Sequence, residues 1–502
     1  MRGVISNWGA FVFSAVVSFF LSPFVVRSLG ETQYGAWVLL GSMVGHLGLL
    51  DVGVRAAVTR YIARFHSSGE HEDARRLYSS ALHLFAGLGG AAIALAGLMA
   101  VLVGHAFHVP HELVGVARIV TIVGGVGIAT SLIGGVFGGV LTGLQHFETS
   151  NAIEIVVGAA RAVGVVACLV AGQGLVSLSL VQLAATIALT LSNRHFARRV
   201  YPELRVVSRR WDRTSAVLLV RFGLTASALH VSSALMLYSD SLVIGAFLPV
   251  AMITHFSIGS TLINYARSVA SGISQTLTPR ISALEAEGQD SAIQSALLTN
   301  ARFASIVVYP IAATFIFRGT SFVGLWMGPE FSTLAGKVLI ILAFNLLTLA
   351  GYQIVSAAMF GIGKHVGLIP VFACEAALNI LLSILLVRRF GVLGTAFGTM
   401  IPRVIVSGVI GPWYAERTLR IPLRRFWLDA FVRPAVAIAP FALASYLIDR
   451  TYPAPGLVVF FAQVVALLPL AAAADWVVCL SPSERAVVRR RFTGLSIGYL
   501  RG

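Results

Sequence analysis

Apolar segments of about twenty residues, nearly free of charge, follow one another along the whole chain. A helix needs about that length to cross hydrocarbon, where no water satisfies the backbone's donors and acceptors. Fourteen segments qualify: 8–27, 34–55, 79–104, 113–142, 150–171, 174–194, 215–239, 248–274, 300–318, 333–359, 367–387, 391–414, 431–448 and 456–480. The stretches between them are short, which leaves almost nothing for a soluble domain. Composition agrees: 57% of the residues are hydrophobic and 12% charged, against roughly 25% charged in an ordinary soluble domain. The sequence predicts an all-α, polytopic membrane protein.

A formal charge of +16 invites a nucleic-acid reading, but the basic residues segregate by side. With a cytoplasmic N-terminus, the inward segments carry Arg2, Arg60, Arg64, Arg75 and Arg76, then the run from Arg194 to Arg213. Later inward segments add Arg280, Arg302, Lys364, Arg417, Arg420, Arg424, Arg425 and the tail from Arg485 to Arg501. Outward segments offer only Arg27, Arg318, Arg388, Arg389 and Arg450. That asymmetry places both termini in the cytoplasm and accounts for the charge without a nucleic-acid partner. The first segment has no small-residue cleavage site and leads straight into a second, so it reads as a retained helix. Cys168, Cys374 and Cys479 fall within expected spans and read as small core residues rather than a metal or redox set.

The widest polar break is RHFARRVYPELRVVSRRWDRTS, 194–215. It divides an N-lobe of six spans, 1–195, from a C-lobe of six, 215–415, across a basic cytoplasmic linker, 196–214. Two further spans, 416–480, and a basic cytoplasmic tail, 481–502, follow. Self-similarity recurs at an offset near 218: Gly41-Ser42 aligns with Gly259-Ser260, and Gly143-Leu144 with Gly361-Ile362. The loop at 60–85 resembles 279–303 with a slip of one residue. Six spans per half is an even number, so the repeat is expected to be parallel.

The stretch SLGETQYGAWVLLGSMVGHLGLLDVGVRAAVTRYIAR, 28–64, carries a Leu-Gly turn, a Tyr-Gly that starts a helix, an Asp-x-Gly and an Arg-rich exit. With LYSDSLVIGAFLPVAMITHFSIGS at 237–260 and the GLQ turn at 143–145, it resembles the bacterial polysaccharide-unit flippases of the multidrug, oligosaccharidyl-lipid and polysaccharide exporter superfamily. The resemblance implies alternating access by a polyprenyl-pyrophosphate-linked oligosaccharide across the bacterial cytoplasmic (inner) membrane. It implies service to lipopolysaccharide or exopolysaccharide assembly beside glycosyltransferases and a polymerase, with membrane lipids as neighbours. No bond is broken, so no catalytic residue and no cofactor is expected.

A pyrophosphate crossing a low-dielectric membrane needs cations, and arginine suits it because its planar fork donates paired bonds to phosphate oxygens. In the family the first two spans of each half line a central cleft. Those spans here carry Arg27, Arg55, Arg221 and Arg267; at span ends the same residues can simply reach the interface. Asp51 and Arg55 are spaced as an i,i+4 pair, on a face that continues through Gly48, Val44 and Gly41. The pair either grips the headgroup or neutralises itself.

In a superfamily flippase for the peptidoglycan precursor, acids on the seventh and eleventh helices and an amide on the eleventh hold sodium. Asp240, Glu375 and Asn379 resemble that set, with Thr395 or Thr399 as a further oxygen, so coupling to Na+ or H+ is implied. Buried polar contacts that fix helix packing are the alternative. Glu154 and Arg161, seven apart, and the span histidines His46, His230 and His255 are further lobe-interior candidates. The glycines of VGGVGIATSLIGGVFGGV, 123–140, are expected to permit close helix approach. A same-fold rival, a multidrug or organic-cation antiporter, would want a buried acid in the first span, and residues 8–26 hold none. A polysaccharide polymerase or ligase would present a sizeable loop with acids or histidines, whereas the loop at 319–333 has one Glu and no His.

Overall fold

The computed structural model describes residues 2–51, 53–204, 212–486 and 489. The side chains of 2–8, 10–12, 224–230 and 233 lie outside the description. His230, the linker's Arg205, Arg209 and Arg210, and most of the basic tail therefore fall outside the described side chains. Every regular element among the described residues is helical. Among the described residues ten helices are long and apolar enough to cross a membrane, or up to eleven if one bent pair, Pro329–Ala343 with Leu346–Gly361, is a single span.

That count accommodates the fourteen expected segments. The first two lie on one helical run, α1 (Arg2–Leu47), with non-helical dihedrals at Gly30 (φ 74°, ψ 168°). Its 46 residues would reach about 70 Å at 1.5 Å per residue, twice a hydrocarbon thickness. Glycine tolerates the positive φ that divides it into two passes. The seventh and eighth segments fall in α7 (Arg213–Phe247) and α8 (Ala251–Gln275), described below.

The chain forms two compact units, 1–254 and 255–502. In the first, α1 is followed by a 3-10 turn (Gly48–Asp51), then α2 (Val54–Ser68), α3 (His71–Ala106), α4 (His111–Gly143), α5 (Phe147–Val170), α6 (Leu175–Val200) and α7. Helix α7 packs on α1, α2 and α3, which is why this unit extends past the linker. Its core gathers Val54, Val58 and Ile62 of α2 against Leu77, Phe85, Val136, Val140 and Leu141.

The second unit takes the greater part of α8, then α9 (Leu277–Ala286), α10 (Asp290–Trp326), α11 (Pro329–Ala343), α12 (Leu346–Gly361), α13 (Ile369–Phe390) and α14 (Val392–Ile405). A π-turn (Val406–Ile410) joins α14 to α15 (Gly411–Leu419); α16 (Leu423–Trp427), α17 (Arg433–Thr451) and α18 (Leu457–Val478) complete it. Arg318, expected as an outward topology marker, is fully buried in α10. Its Nε donates to Asp449 Oδ1 (3.0 Å) and its Nη2 to Gln463 Oε1 (2.6 Å), and its guanidinium lies 4.3 Å from the Phe460 ring centroid. One guanidinium thus fastens α17 and α18 to α10, while Arg302 near the other end of α10 pairs with Glu484.

The duplication is written into the turns. After α2, Gly69 (φ 75°) donates to His66 O and Glu70 to Phe65 O; after α9, Gly288 (φ 68°) donates to Glu285 O and Gln289 to Leu284 O. After α4, the amides of Leu144, Gln145 and His146 donate to Val140, Thr142 and Leu141. After α12, Ile362, Gly363 and Lys364 donate to Ala358, Phe360 and Met359 in the same pattern, 218 residues on. Gln145 (φ 62°) and Gly363 (φ 70°) occupy the same left-handed position.

The glycines before these turns are also equivalent. A Cβ on Gly143 would stand 2.6 Å from Thr59 O of α2, and one on Gly361 3.0 Å from Thr278 O of α9. Four glycines of the α4 run permit close approach as expected: Cβ atoms on Gly124, Gly125, Gly134 and Gly139 would strike Val44, Ala96, Thr190 and Val58 within 3.0 Å, whereas Gly127 faces open space.

The exposed faces are apolar. On α5, Val156, Val163 and Val170 recur every seven residues at 67%, 69% and 74% exposure, a stripe that is stable against lipid and not against water. The protein is a multi-pass membrane protein.

Two outcomes test this packing. Gly143→Ala forces a methyl onto a backbone carbonyl and is expected to cost about 1–3 kcal/mol, read as a lower melting temperature in detergent. Gly158→Ala, with open space at its Cβ, is the control and leaves the melt unchanged or higher. At the start of α7, Asp212 accepts from the amides of Ser215 (2.9 Å) and Thr214 (3.3 Å) and from the Ser215 hydroxyl (2.5 Å). The bond from that hydroxyl, then that from the Ser215 amide, holds its carboxyl below the usual carboxylate range. A depressed folded-state pKa stabilises above the unfolded value and loses its contribution as pH falls through the folded one. Asp212→Ala is expected to cost about 1 kcal/mol at pH 7, with the difference from wild type shrinking below about pH 4.

Candidate substrate site

In the first unit the expected cations sit on helices that pack together. Arg27 is on α1, Arg55 on α2 and Arg221 on α7, and α7 contacts both α1 and α2. Arg27 and Arg221 are exposed, and the Arg55 side chain is 53% exposed. The Asp51–Arg55 pair forms, with Arg55 Nε 3.7 Å from Asp51 Oδ2 and the Arg55 amide donating to Oδ1 at 3.4 Å.

The expected single helical face through Asp51 and Arg55 is not what forms. Helix α1 stops at Leu47, a 3-10 turn covers Gly48–Asp51, and Gly53 (φ 65°) caps α2 in the left-handed region. Asp51 therefore sits on a break and steadies the first turn of α2. The reason is local: two glycines within six residues, at 48 and 53, weaken the helix where the acid can take up freed amides. The Arg55 guanidinium lies over α4, where a Cβ on Gly135 would come 2.9 Å from Nε; glycine there opens room for the fork.

Glu154 and Arg161 share one face of α5 and are both exposed. Seven residues put them about 10 Å apart along the axis, too far to bond, and Arg161 Nη1 instead reaches Gln182 Oε1 of α6 at 3.2 Å. This polar face lies two residues round from the valine stripe, about 160° away. His46 Nδ1 meets Ser42 O at 2.8 Å and its ring packs 5.4 Å from Tyr238, which makes it a packing residue. His255 is buried beside Phe331 at 5.5 Å. Asp240 is buried on α7 in the first unit, whereas Glu375 and Asn379 lie in the second.

The second unit assembles the most concentrated polar group. Glu375 of α13 has no exposed surface, and its Oε1 stands 2.7 Å from Arg403 Nε of α14. The approach is an ion contact rather than an aligned hydrogen bond, since neither carboxylate oxygen has an aligned donor. One turn along, Asn379 Nδ2 donates to Thr399 Oγ1 at 3.0 Å, and Thr399 Oγ1 to Thr395 O at 3.1 Å. Ser383 of α13 and Thr395 of α14 are likewise polar and have no exposed surface. Gly398 lets the two helices close up here, because a Cβ there would lie 2.5 Å from the Ser383 amide. Arg267 of α8 lies within electrostatic reach of Arg403 and Glu375. Tyr352 of α12 does too, and its buried hydroxyl has no hydrogen-bond partner.

Arg403 and Tyr352 were not expected from the sequence. The available signal was Glu375 itself: an acid inside a span requires a cation or donor within reach, and Arg403 is the arginine of the adjoining span.

A family model described as polysaccharide biosynthesis protein matches residues 1–285, more than half the chain. The chain belongs to that family. It is 22% identical over 435 residues to the uncharacterized membrane protein EpsK of Bacillus subtilis, covering 82% of each chain. Its fold is shared with the lipid II flippase MurJ in an inward closed conformation, with a TM-score of 0.72, 14% identity and coverage of 93% and 97%. It is shared too with an inward-facing multidrug resistance MATE transporter of the MOP superfamily (TM-score 0.69, 17% identity, coverage of 82% and 96%). The family member thus shares the fold of these two proteins.

The ion contact generates a stability test. Arg403→Gln strands the Glu375 carboxylate and is expected to cost about 3–5 kcal/mol, whereas Glu375→Gln with Arg403→Gln removes both charges and costs far less. Thermal unfolding of the purified protein in detergent compares the two; equal losses contradict the pairing.

Proposed function

We propose that this family member carries a polyprenyl-diphosphate-linked oligosaccharide across the bacterial cytoplasmic membrane by alternating access, with both termini cytoplasmic. The cargo is a repeat unit of lipopolysaccharide or exopolysaccharide, supplied by glycosyltransferases and consumed by a polymerase. The protein acts as a transporter and breaks no bond; coupling to Na+ or H+ is part of the proposal. The observation that carries the reading is the set of cations on membrane helices: Arg27, Arg55 and Arg221 in the first unit, Arg267 with Arg403 in the second. Membrane-embedded guanidiniums are costly unless they meet anions, and a diphosphate is the anion this family's cargo would bring. The polar face of α5 at Glu154 and Arg161, opposite its valine stripe, offers the hydrophilic wall that a sugar requires.

The MATE-like fold also supports a second reading, an organic-cation antiporter. Five membrane arginines repel such a cargo, and the buried acid Glu375 is already engaged by a guanidinium.

Loss of the protein is expected to leave lipid-linked oligosaccharide accumulated on the cytoplasmic leaflet, with export restored by wild type. Arg55→Ala with Arg267→Ala is expected to abolish export at normal protein levels. Absence of any accumulated intermediate, or full export by the double variant, rejects the proposal.

A further inference from the structure

Arg403 stands where α14 departs from regular geometry. Pro402 immediately precedes it, removing a backbone donor and crowding the preceding turn. Three residues later the helix enters the π-turn Val406–Ile410. The Arg403 carbonyl accepts from Ser407 Oγ at 2.5 Å, and that hydroxyl is bonded in turn to Thr348 Oγ1 at 2.6 Å. π-turns are costly, and they concentrate where a helix must place a functional side chain.

The side chain so placed makes a contact that is close but unaligned. Glu375 Oε1 is 2.7 Å from Arg403 Nε, yet neither oxygen of this fully buried carboxylate has an aligned donor. A pair built only for packing would gain most from a two-pronged, aligned fork. Tyr352 adds a buried hydroxyl with no hydrogen-bond partner within electrostatic reach of the pair, and Arg267 supplies a second guanidinium within the same reach. Two cations, one carboxylate and an unused hydroxyl are the chemistry of an anion site whose internal acid holds the place of the ligand.

We propose that Arg403 and Arg267 bind the diphosphate headgroup and that Glu375 is a built-in competing anion, releasing Arg403 to phosphate oxygens when cargo arrives and reclaiming it when cargo leaves. This inference rests on the flippase reading. The chemistry favours exchange: a diphosphate offers more charge and more acceptors to two guanidiniums than one carboxylate does. Between cargoes Glu375 spares Arg403 the cost of an unmatched charge in low dielectric. Competition also weakens the bound state, so the headgroup can depart.

The test uses purified full-length protein and a fluorescent polyprenyl diphosphate. Glu375→Gln keeps the cation and removes the competitor; it is expected to tighten binding about threefold or more, roughly 0.65 kcal/mol. Glu375→Gln with Arg403→Gln removes both without stranding a charge, and is expected to bind about tenfold more weakly than wild type, about 1.4 kcal/mol. Melting temperatures confirm that both variants are folded. Wild-type affinity in both variants, or weakening by Glu375→Gln alone, overturns the inference while leaving the flippase reading standing. Failure of the wild type to bind the probe overturns both.

Discussion

A carboxylate with no exposed surface, on a helix that crosses hydrocarbon, persists only if a cation is brought to it, and the interior of the second unit is arranged around that requirement. Glu375 draws Arg403 from the adjoining helix. The register that this pairing sets then places Asn379 against Thr399 and Ser383 against Gly398. Two polar contacts one turn apart thus hold α13 and α14 in one alignment through groups that would otherwise be expensive in lipid. Arg318 applies the same rule at the other flank, where Asp449 and Gln463 anchor the last two helices. Charges the membrane penalises are thereby turned into fasteners.

The architecture was legible because the bilayer leaves few solutions. Segment lengths follow from hydrocarbon thickness, which does not depend on tertiary detail. The duplication was legible at glycine: Gly143 and Gly361 are needed where two helices touch backbone to backbone, and Gly69 and Gly288 where the chain turns with positive φ. A residue dictated by sterics leaves a mark that survives when its neighbours change. Gln145, which holds the position that Gly363 takes in the second half, shows the limit of reading such marks letter by letter.

The candidate site was less legible, for a different physical reason. Helical spacing suggested that Asp51 and Arg55 share a face, and they do meet, but across a broken helix that glycines at 48 and 53 create. Spacing also linked Glu154 to Arg161, where distance along the axis keeps them apart and Arg161 finds Gln182. Arg403 was missed because its partner is 28 residues away in sequence and only the antiparallel register of two helices brings them together. Pairings within a turn can be read from sequence; pairings between helices need the register, which packing decides.

Function depends on whether these cations serve a moving anion or only one another. The most direct measurement reconstitutes the purified protein in liposomes that carry a fluorescent polyprenyl-diphosphate oligosaccharide in one leaflet and follows its appearance in the other with a membrane-impermeant quencher. Translocation that requires the protein and is absent from empty liposomes is the result this account predicts. Liposomes in which the protein moves organic cations but leaves the lipid-linked sugar in its original leaflet would contradict it.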